Sequence, residues 1–311
     1  MADDKKYSAE LLKDGTILVT EEPDGRERFR FDFLCKYFDI MTCGEWASVS
    51  ITRDNRLLIA GYGIGYLYFI SLSDGKIIKQ MKLFPEVSYE DDSFKDIDDQ
   101  GYYDMYPRLD FSRDGKYAVI RVRGYFDPQS YGGDFSPIYV RSFFLMDMET
   151  LEIVFSDDNS DIPDDGYLNL AVAAFSPDSR FLVTASPGRT LKVFDLEKKC
   201  EVFRCGPVEW VPYSTAVDHR ELAVFLDAQT FVFVSMRKNI EVVEVGFIVK
   251  VQRQPDGSWK VVQTIDTAPY MSDIDKGTIF DIDYIPDSRE IVCYYTYTNR
   301  IKNKFFKIKM N

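Results

Sequence analysis

The stretch Phe175-Ser176-Pro177-Asp178-Ser179-Arg180-Phe181-Leu182-Val183-Thr184-Ala185-Ser186, followed shortly by Leu191-Lys192-Val193-Phe194-Asp195-Leu196, decides the fold. It reads as a strand end, a tight turn built on Asp178, a β-branched and aromatic strand, and then a second strand closing on Phe-Asp. Aspartate bonds back to nearby backbone, and a small or polar residue beside it tolerates positive φ. The phrase is therefore a strand–turn–strand unit with a physical reason for its turn.

The same phrase recurs along the chain. Leu12-Lys13-Asp14-Gly15-Thr16, Thr52-Arg53-Asp54-Asn55-Arg56, Ser112-Arg113-Asp114-Gly115-Lys116 and Ile285-Pro286-Asp287-Ser288-Arg289 are copies. A worn copy is read at Val217-Asp218-His219-Arg220-Glu221. Asp14 to Asp54, and Asp178 to Asp218, are each 40 residues apart, the length of one four-stranded propeller blade. The wider intervals imply insertions. A second mark follows the early turns, at Phe31-Asp32, Ile70-Ser71, Met146-Asp147 and Phe194-Asp195, where a third strand should end.

Taken together, Phe175–Ser186 and Leu191–Leu196 resemble a tryptophan-aspartate (WD) repeat, and the weaker copies extend the resemblance over most of the chain. The departures are specific. Phe-Asp or Met-Asp replaces Trp-Asp, and no Gly-His dipeptide is present. With His219 the only histidine, the Asp-His-Ser/Thr-Trp network of that family cannot form.

The predicted fold is all-β: one β-propeller domain over residues 1–311, with six four-stranded blades. The blade stretches are 7–42, 46–83, 106–156, 168–204, 213–265 and 279–309. The fifth stretch reads as five strands, so splitting it would give seven blades. The last reads as three, which predicts closure by the N- and C-terminal strands. A two-domain β-sandwich protein is the competing architecture.

Composition narrows the function classes. Net charge is −13, against nucleic acid and anionic membranes as ligands. No apolar run reaches membrane-helix length, and Met1-Ala2-Asp3-Asp4-Lys5-Lys6 lacks the apolar core of a signal peptide. Cys35, Cys43, Cys200, Cys205 and Cys293 form no CxxC pair, which reads as reduced thiols in a cytoplasmic protein. A monomer without cofactor is expected.

The charge is unevenly placed. Phe84–Pro107 carries −7, Gly124–Ile138 −2, Ser156–Asn169 −5 and Ile265–Ile279 −2. These insertions total −16 against −13 for the whole, leaving +3 for everything else. In a four-stranded blade they fall on the loops opposite the Asp turns, so one acidic, tyrosine-rich face is expected. Its binding residues are read as Asp91, Asp92, Asp98, Asp99, Tyr102, Tyr103, Asp104, Tyr125, Asp157, Asp158, Asp164, Asp165 and Trp210. Acid gathers cations and ring faces hold them, so a protein or basic peptide is the expected partner.

Other chemistries are weighed on named residues. Asp157-Asp158-Asn159-Ser160-Asp161 resembles a hard-oxygen calcium cluster, with Asp157 and Asp161 as ligands, but Ile162 stands where an EF-hand has glycine. Asp110, Asp281 and Asp283 lie on predicted innermost strands and would be the carboxylates of a glycan hydrolase. The lone His219 argues against a histidine-assisted Ser or Cys nucleophile. Gly61-Tyr62-Gly63-Ile64-Gly65 lacks the Lys-Ser/Thr ending of a P-loop.

Overall fold

The structure, a computed structural model, describes residues 6–12, 16–31, 47–62, 66–83, 106–126, 138–158, 172–185, 191–205, 222–235, 238–239, 242–243, 247–271, 278–297 and 300–310. They fall in two compact units, Met1–Ile162 and Pro163–Asn311.

The first unit holds three antiparallel sheets in chain order. One is β1 (Tyr7–Leu11), β2 (Ile17–Glu21) and β3 (Arg26–Phe31). The next is β4 (Ala47–Ile51), β5 (Leu57–Tyr62), β6 (Tyr66–Ser71) and β7 (Ile77–Lys82). The third is β8 (Tyr106–Phe111), β9 (Tyr117–Phe126), β10 (Ile138–Asp147) and β11 (Glu152–Asp158).

The second unit repeats the plan. Its first sheet is β12 (Val172–Phe175), β13 (Phe181–Ala185), β14 (Leu191–Asp195) and β15 (Cys200–Cys205). Next come β16 (Ala223–Asp227) and β17 (Thr230–Ser235), then a small hairpin of β18 (Lys238–Asn239) and β19 (Val242–Val243). The strands β20 (Phe247–Arg253) and β21 (Trp259–Asp266) complete that sheet in the order β16-β17-β20-β21. The last sheet is β22 (Thr278–Ile285), β23 (Glu290–Tyr297) and β24 (Arg300–Lys309). Six antiparallel sheets of three or four strands, each a simple meander, have the make-up of propeller blades.

The recurrent turn explains the strand ends. Ser176 Oγ donates to Asp178 Oδ1 (2.5 Å) and accepts the amide of Phe181 (2.8 Å), while Asp178 Oδ1 accepts the amide of Arg180 (3.1 Å). Thr52 with Asp54, and Ser112 with Asp114, build the same turn at 2.7 and 2.8 Å. In each copy the residue after the aspartate adopts positive φ: Asn55 at 56°, Gly115 at 72° and Ser179 at 61°. The working unit is thus hydroxyl-x-Asp, with a residue tolerant of the left-handed region following it.

A backbone bond then ties this turn to the end of the third strand. Leu72, Met148 and Leu196 donate their amides to the carbonyls of Arg56, Lys116 and Arg180 at 2.8–2.9 Å. In these three sheets the turns joining first to second strand and third to fourth therefore share one end, as the repeat predicts there. Turns of the latter kind also carry positive φ, at Gly75, Leu151, Lys199 and Gly257. In the first sheet the matching bond runs from Glu22 to the Lys6 carbonyl (2.8 Å), so the corresponding turn is the one at Gly25 between β2 and β3, and β1 joins β2 at the opposite end.

The same bond corrects the worn copy. Arg253 donates to the carbonyl of Gln229 (2.8 Å), so the fifth turn is Asp227-Ala228-Gln229, where Asp227 Oδ1 accepts the amide of Gln229 (2.7 Å). Asp218 and His219 lie outside the described residues. The true turn escapes a sequence search because it lacks the hydroxyl and the Gly or Asn. The stretch 213–265 gives one four-stranded sheet and, inserted between β17 and β20, a separate two-stranded sheet of β18 and β19.

Strands in the middle of a unit are buried on both faces. In β5, Leu58 and Ala60 pack with Ile17 and Val19 of the preceding sheet, while Ile59 packs with Leu109 and Ile120 of the following one. Such strands read as continuous apolar runs, as Leu57-Leu58-Ile59-Ala60 does. In the second unit Trp259 closes the core edge-on against Phe181, with ring centroids 5.2 Å apart.

Removing the Ser176 hydroxyl leaves the buried Phe181 amide without its acceptor. Ser176→Ala should cost about 1–3 kcal/mol in urea unfolding. Ser288→Ala, in the exposed last turn, should stay within about 0.5 kcal/mol of the parent chain.

Candidate functional site

In each unit the long insertions join strands at the end opposite the short turns, because strand polarity leaves them no other place. Leu83 and Tyr106 bracket one, and Phe126 and Ile138 another. Part of what the sequence assigns to insertions belongs to the sheet. Gly124, Tyr125 and Phe126 extend β9, where Tyr125 pairs with Tyr139. Ser156, Asp157 and Asp158 extend β11, with Asp157 opposite Phe143 and Asp158 opposite Ser142. In the third sheet β9 and β10 therefore form a long hairpin, and the insertion between them contracts to 127–137.

Tyr125, Asp157 and Asp158 are the predicted binding residues that the described strands place, all at this end of the third sheet. Asp91, Asp92, Asp98, Asp99, Tyr102, Tyr103, Asp104, Asp164, Asp165 and Trp210 lie outside the described residues, as does Asp161 of the calcium reading. From the fourth insertion, Asp266 Oδ1 accepts the Ala268 amide (2.9 Å) and opens a single 3-10 turn, Ala268–Tyr270. Tyr270 stacks on Phe306 with centroids 5.7 Å apart and planes 19° from parallel, yet stays half exposed.

The ladder also reveals a cationic feature that charge counting over insertions misses. Arg108 stands opposite Arg121, and Arg123 opposite Arg141, which puts four arginine positions on one face of the third sheet. Asp157 stands on that same face through its pairing with Phe143, itself opposite Arg121. The signal was present in the alternation of Arg121-Val122-Arg123 along β9, once a strand was assumed there.

The carboxylates of the hydrolase reading are differently employed. Asp110 on β8 forms an ion pair with the buried Arg121 guanidinium, so its oxygen is committed to a structural partner. Asp281 sits half-buried at a ladder shift in β22, and Asp283 is exposed opposite Val292. A general acid at neutral pH needs its carboxyl raised by burial or by a like charge. The carboxyls that depart from ordinary values go the other way. Burial pushes Asp54 up, but bonds from Thr52 and Arg56 outweigh it and hold it low. The Ser288 hydroxyl beside Glu290, then Lys307, does the same. A hydrolase is not favoured. Among the described residues no three His, Cys, Asp or Glu side chains gather as a metal site.

A depression of about 520 Å³ opens in the first unit among Arg56, Ser73, Ile78 and Glu149. It lies at the short-turn end, and Arg56 there is already paired with Asp54. Of the thiols, Cys200 is exposed, whereas burial pushes Cys293 up to about 12.

No family model and no curated protein sequence matches the chain. Its backbone resembles a chain in the crystal structure of the mitotic checkpoint complex, with a TM-score of 0.50 at 9% identity, over 99% of this chain and 75% of that one. At this identity the likeness is one of fold, that of a β-propeller. Among the described residues no helix is long and apolar enough to cross a membrane.

Two outcomes follow from these environments. Asp110→Asn strips a buried guanidinium of its counter-ion and should cost about 2–3 kcal/mol in urea unfolding, near the low end for a buried pair because Asp110 is partly exposed. Alkylation mapped by mass spectrometry near neutral pH should modify Cys200 within minutes, and Cys293 only at the rate of unfolding.

Proposed function

We propose that the chain is a non-catalytic interaction scaffold: a single propeller domain of six blades that recognises a protein partner, through a basic segment, at its acidic aromatic end. In this reading the ring is closed by its N- and C-terminal strands. The protein acts in the cytoplasm as a monomer, without nucleic acid or membrane as a ligand.

The observation that carries this reading is the asymmetry of the sheets. At one end the short turns consume their own polar groups in hydroxyl–aspartate and backbone bonds. The segments that the sequence marks as insertions, Phe84–Pro107, Gly124–Ile138, Ser156–Asn169 and Ile265–Ile279, carry a net charge of −16. A surface whose polar groups are satisfied internally has little left for a partner, whereas dense acid with tyrosines supports capture of lysine- and arginine-rich chains. The fold neighbour was crystallised within a multi-protein complex, which supports a protein as partner class.

Charge reversal tests the reading. With Asp91, Asp92, Asp98 and Asp99 replaced by lysine, capture of a lysine-rich probe peptide at low salt should weaken at least about tenfold, with unfolding unchanged. Capture that survives this change sinks the acidic-end assignment.

A further inference from the structure

Among the described residues the last sheet has one strand fewer than four of its siblings. Each four-stranded sheet finishes on an outer strand of six to eight residues: β7, β11, β15 and β21. The last sheet stops at β24, and no described strand pairs with its outer edge. Met310 donates to the Arg289 carbonyl at 2.8 Å, the same bond that Leu72 and Leu196 make, so β24 occupies the third-strand position.

That equivalence fixes both the backbone and the side chains. Amides alternate along an antiparallel strand, so with Met310 bonded inward, those of Phe305, Lys307 and Lys309 point to the open edge. In the sibling sheet the matching amide, that of Ser71, is bonded to the fourth-strand side through the Lys76 carbonyl (2.8 Å). The side chains at the same positions also stand apart from their counterparts. Phe305 is 62% exposed, whereas Leu67 and Leu191 in its place are fully buried. Lys307 and Lys309 replace the buried Phe69 and the Ser71 of the second sheet.

We propose that the outer edge of β24 is a strand-addition site for an extended, acidic segment of a partner protein, which completes the sheet as its fourth strand. Charge selects the occupant. Residues 300–309 hold Arg300, Lys302, Lys304, Lys307 and Lys309 and no acid, in a chain of net charge −13. Glu290, on the neighbouring strand, takes up part of this charge through Lys307 at 3.4 Å. A second copy pairing β24 against β24 would set lysine against lysine, which disfavours it. An incoming strand with acids opposite Lys307 and Lys309, and an apolar residue opposite Phe305, satisfies both the edge amides and the exposed ring. The lysines then have two effects: they discourage indiscriminate edge pairing and admit only a complementary strand. This site is independent of the acidic end, and its residues are untouched by the charge reversals above.

The test uses the full chain and a labelled peptide of about ten residues built around Glu-Thr-Glu-Thr-Val, which in an antiparallel pairing sets its glutamates opposite Lys309 and Lys307 and its valine opposite Phe305. Fluorescence anisotropy should show saturable binding that weakens at least about tenfold in Lys307→Glu/Lys309→Glu. A peptide of the same sequence, N-methylated at alternate residues, should not bind, because it cannot complete the ladder. Hydrogen exchange should show the Phe305, Lys307 and Lys309 amides unprotected in the free chain and protected on binding. Absence of binding overturns the proposal, as does equal binding of the N-methylated peptide, which would mark charge attraction alone. Protection already present in the free monomer would assign the edge to a segment of this chain. Protection that appears with dimerisation in sedimentation would assign it to a second copy.

Discussion

One small constraint recurs through the chain: a hydroxyl two residues before an aspartate, with both side chains turned back onto the amides of the next strand. At Ser176 and Asp178 this satisfies two amides and an otherwise buried hydroxyl within six residues. The turn fixes where the second strand begins, and so which residues face each way. Through the Leu196–Arg180 bond it also fixes where the third strand ends. Burial on both faces then becomes possible, since a one-residue slip would exchange Leu58 with Ile59 and put each against the wrong neighbour. The core depends on register, and register depends on the turn.

Legibility in the sequence followed this constraint. Where the turn kept its Asp and its Gly, Asn or Ser, the blade was readable, as at Asp54, Asp114 and Asp178. The hydroxyls of Thr52, Ser112 and Ser176 stood in the same phrases, yet their role emerges only from the bonds they make. Where the aspartate stands without the hydroxyl and without Gly, Asn or Ser after it, at Asp227-Ala228-Gln229, composition pointed instead to Asp218. The surplus strands of 213–265 were real but short, and periodicity cannot separate a two-residue-strand hairpin from part of a blade. The acidic insertions were visible as charge. The arginine pairs beside them were not, because opposition across a ladder is a property of pairing and not of neighbouring letters.

The carboxylates show why type and strand position are insufficient to assign chemistry. Asp110 has the residue identity and the innermost-strand position of a candidate acid, but its partner is a buried guanidinium two residues along the facing strand's ladder. The same residue types serve at both ends of the sheets, closing turns at one and crowding into insertions at the other. What separates structural from available acid is whether a local amide, hydroxyl or guanidinium already claims the oxygen.

Every sheet is drawn from one unbroken stretch of chain, and this bears on how the protein is made. The partners of each strand lie within a blade's length, so a chain emerging from its N-terminus holds the makings of a complete sheet before the next is synthesised. A lengthened connection delays such assembly little, since closing a loop of twice the length costs only about 0.6 kcal/mol more. The acidic insertions could therefore grow between strands without disturbing the order of assembly. Among the described residues the first and last sheets each emerge with one strand fewer than their four-stranded siblings, so that order is incomplete at both of its ends.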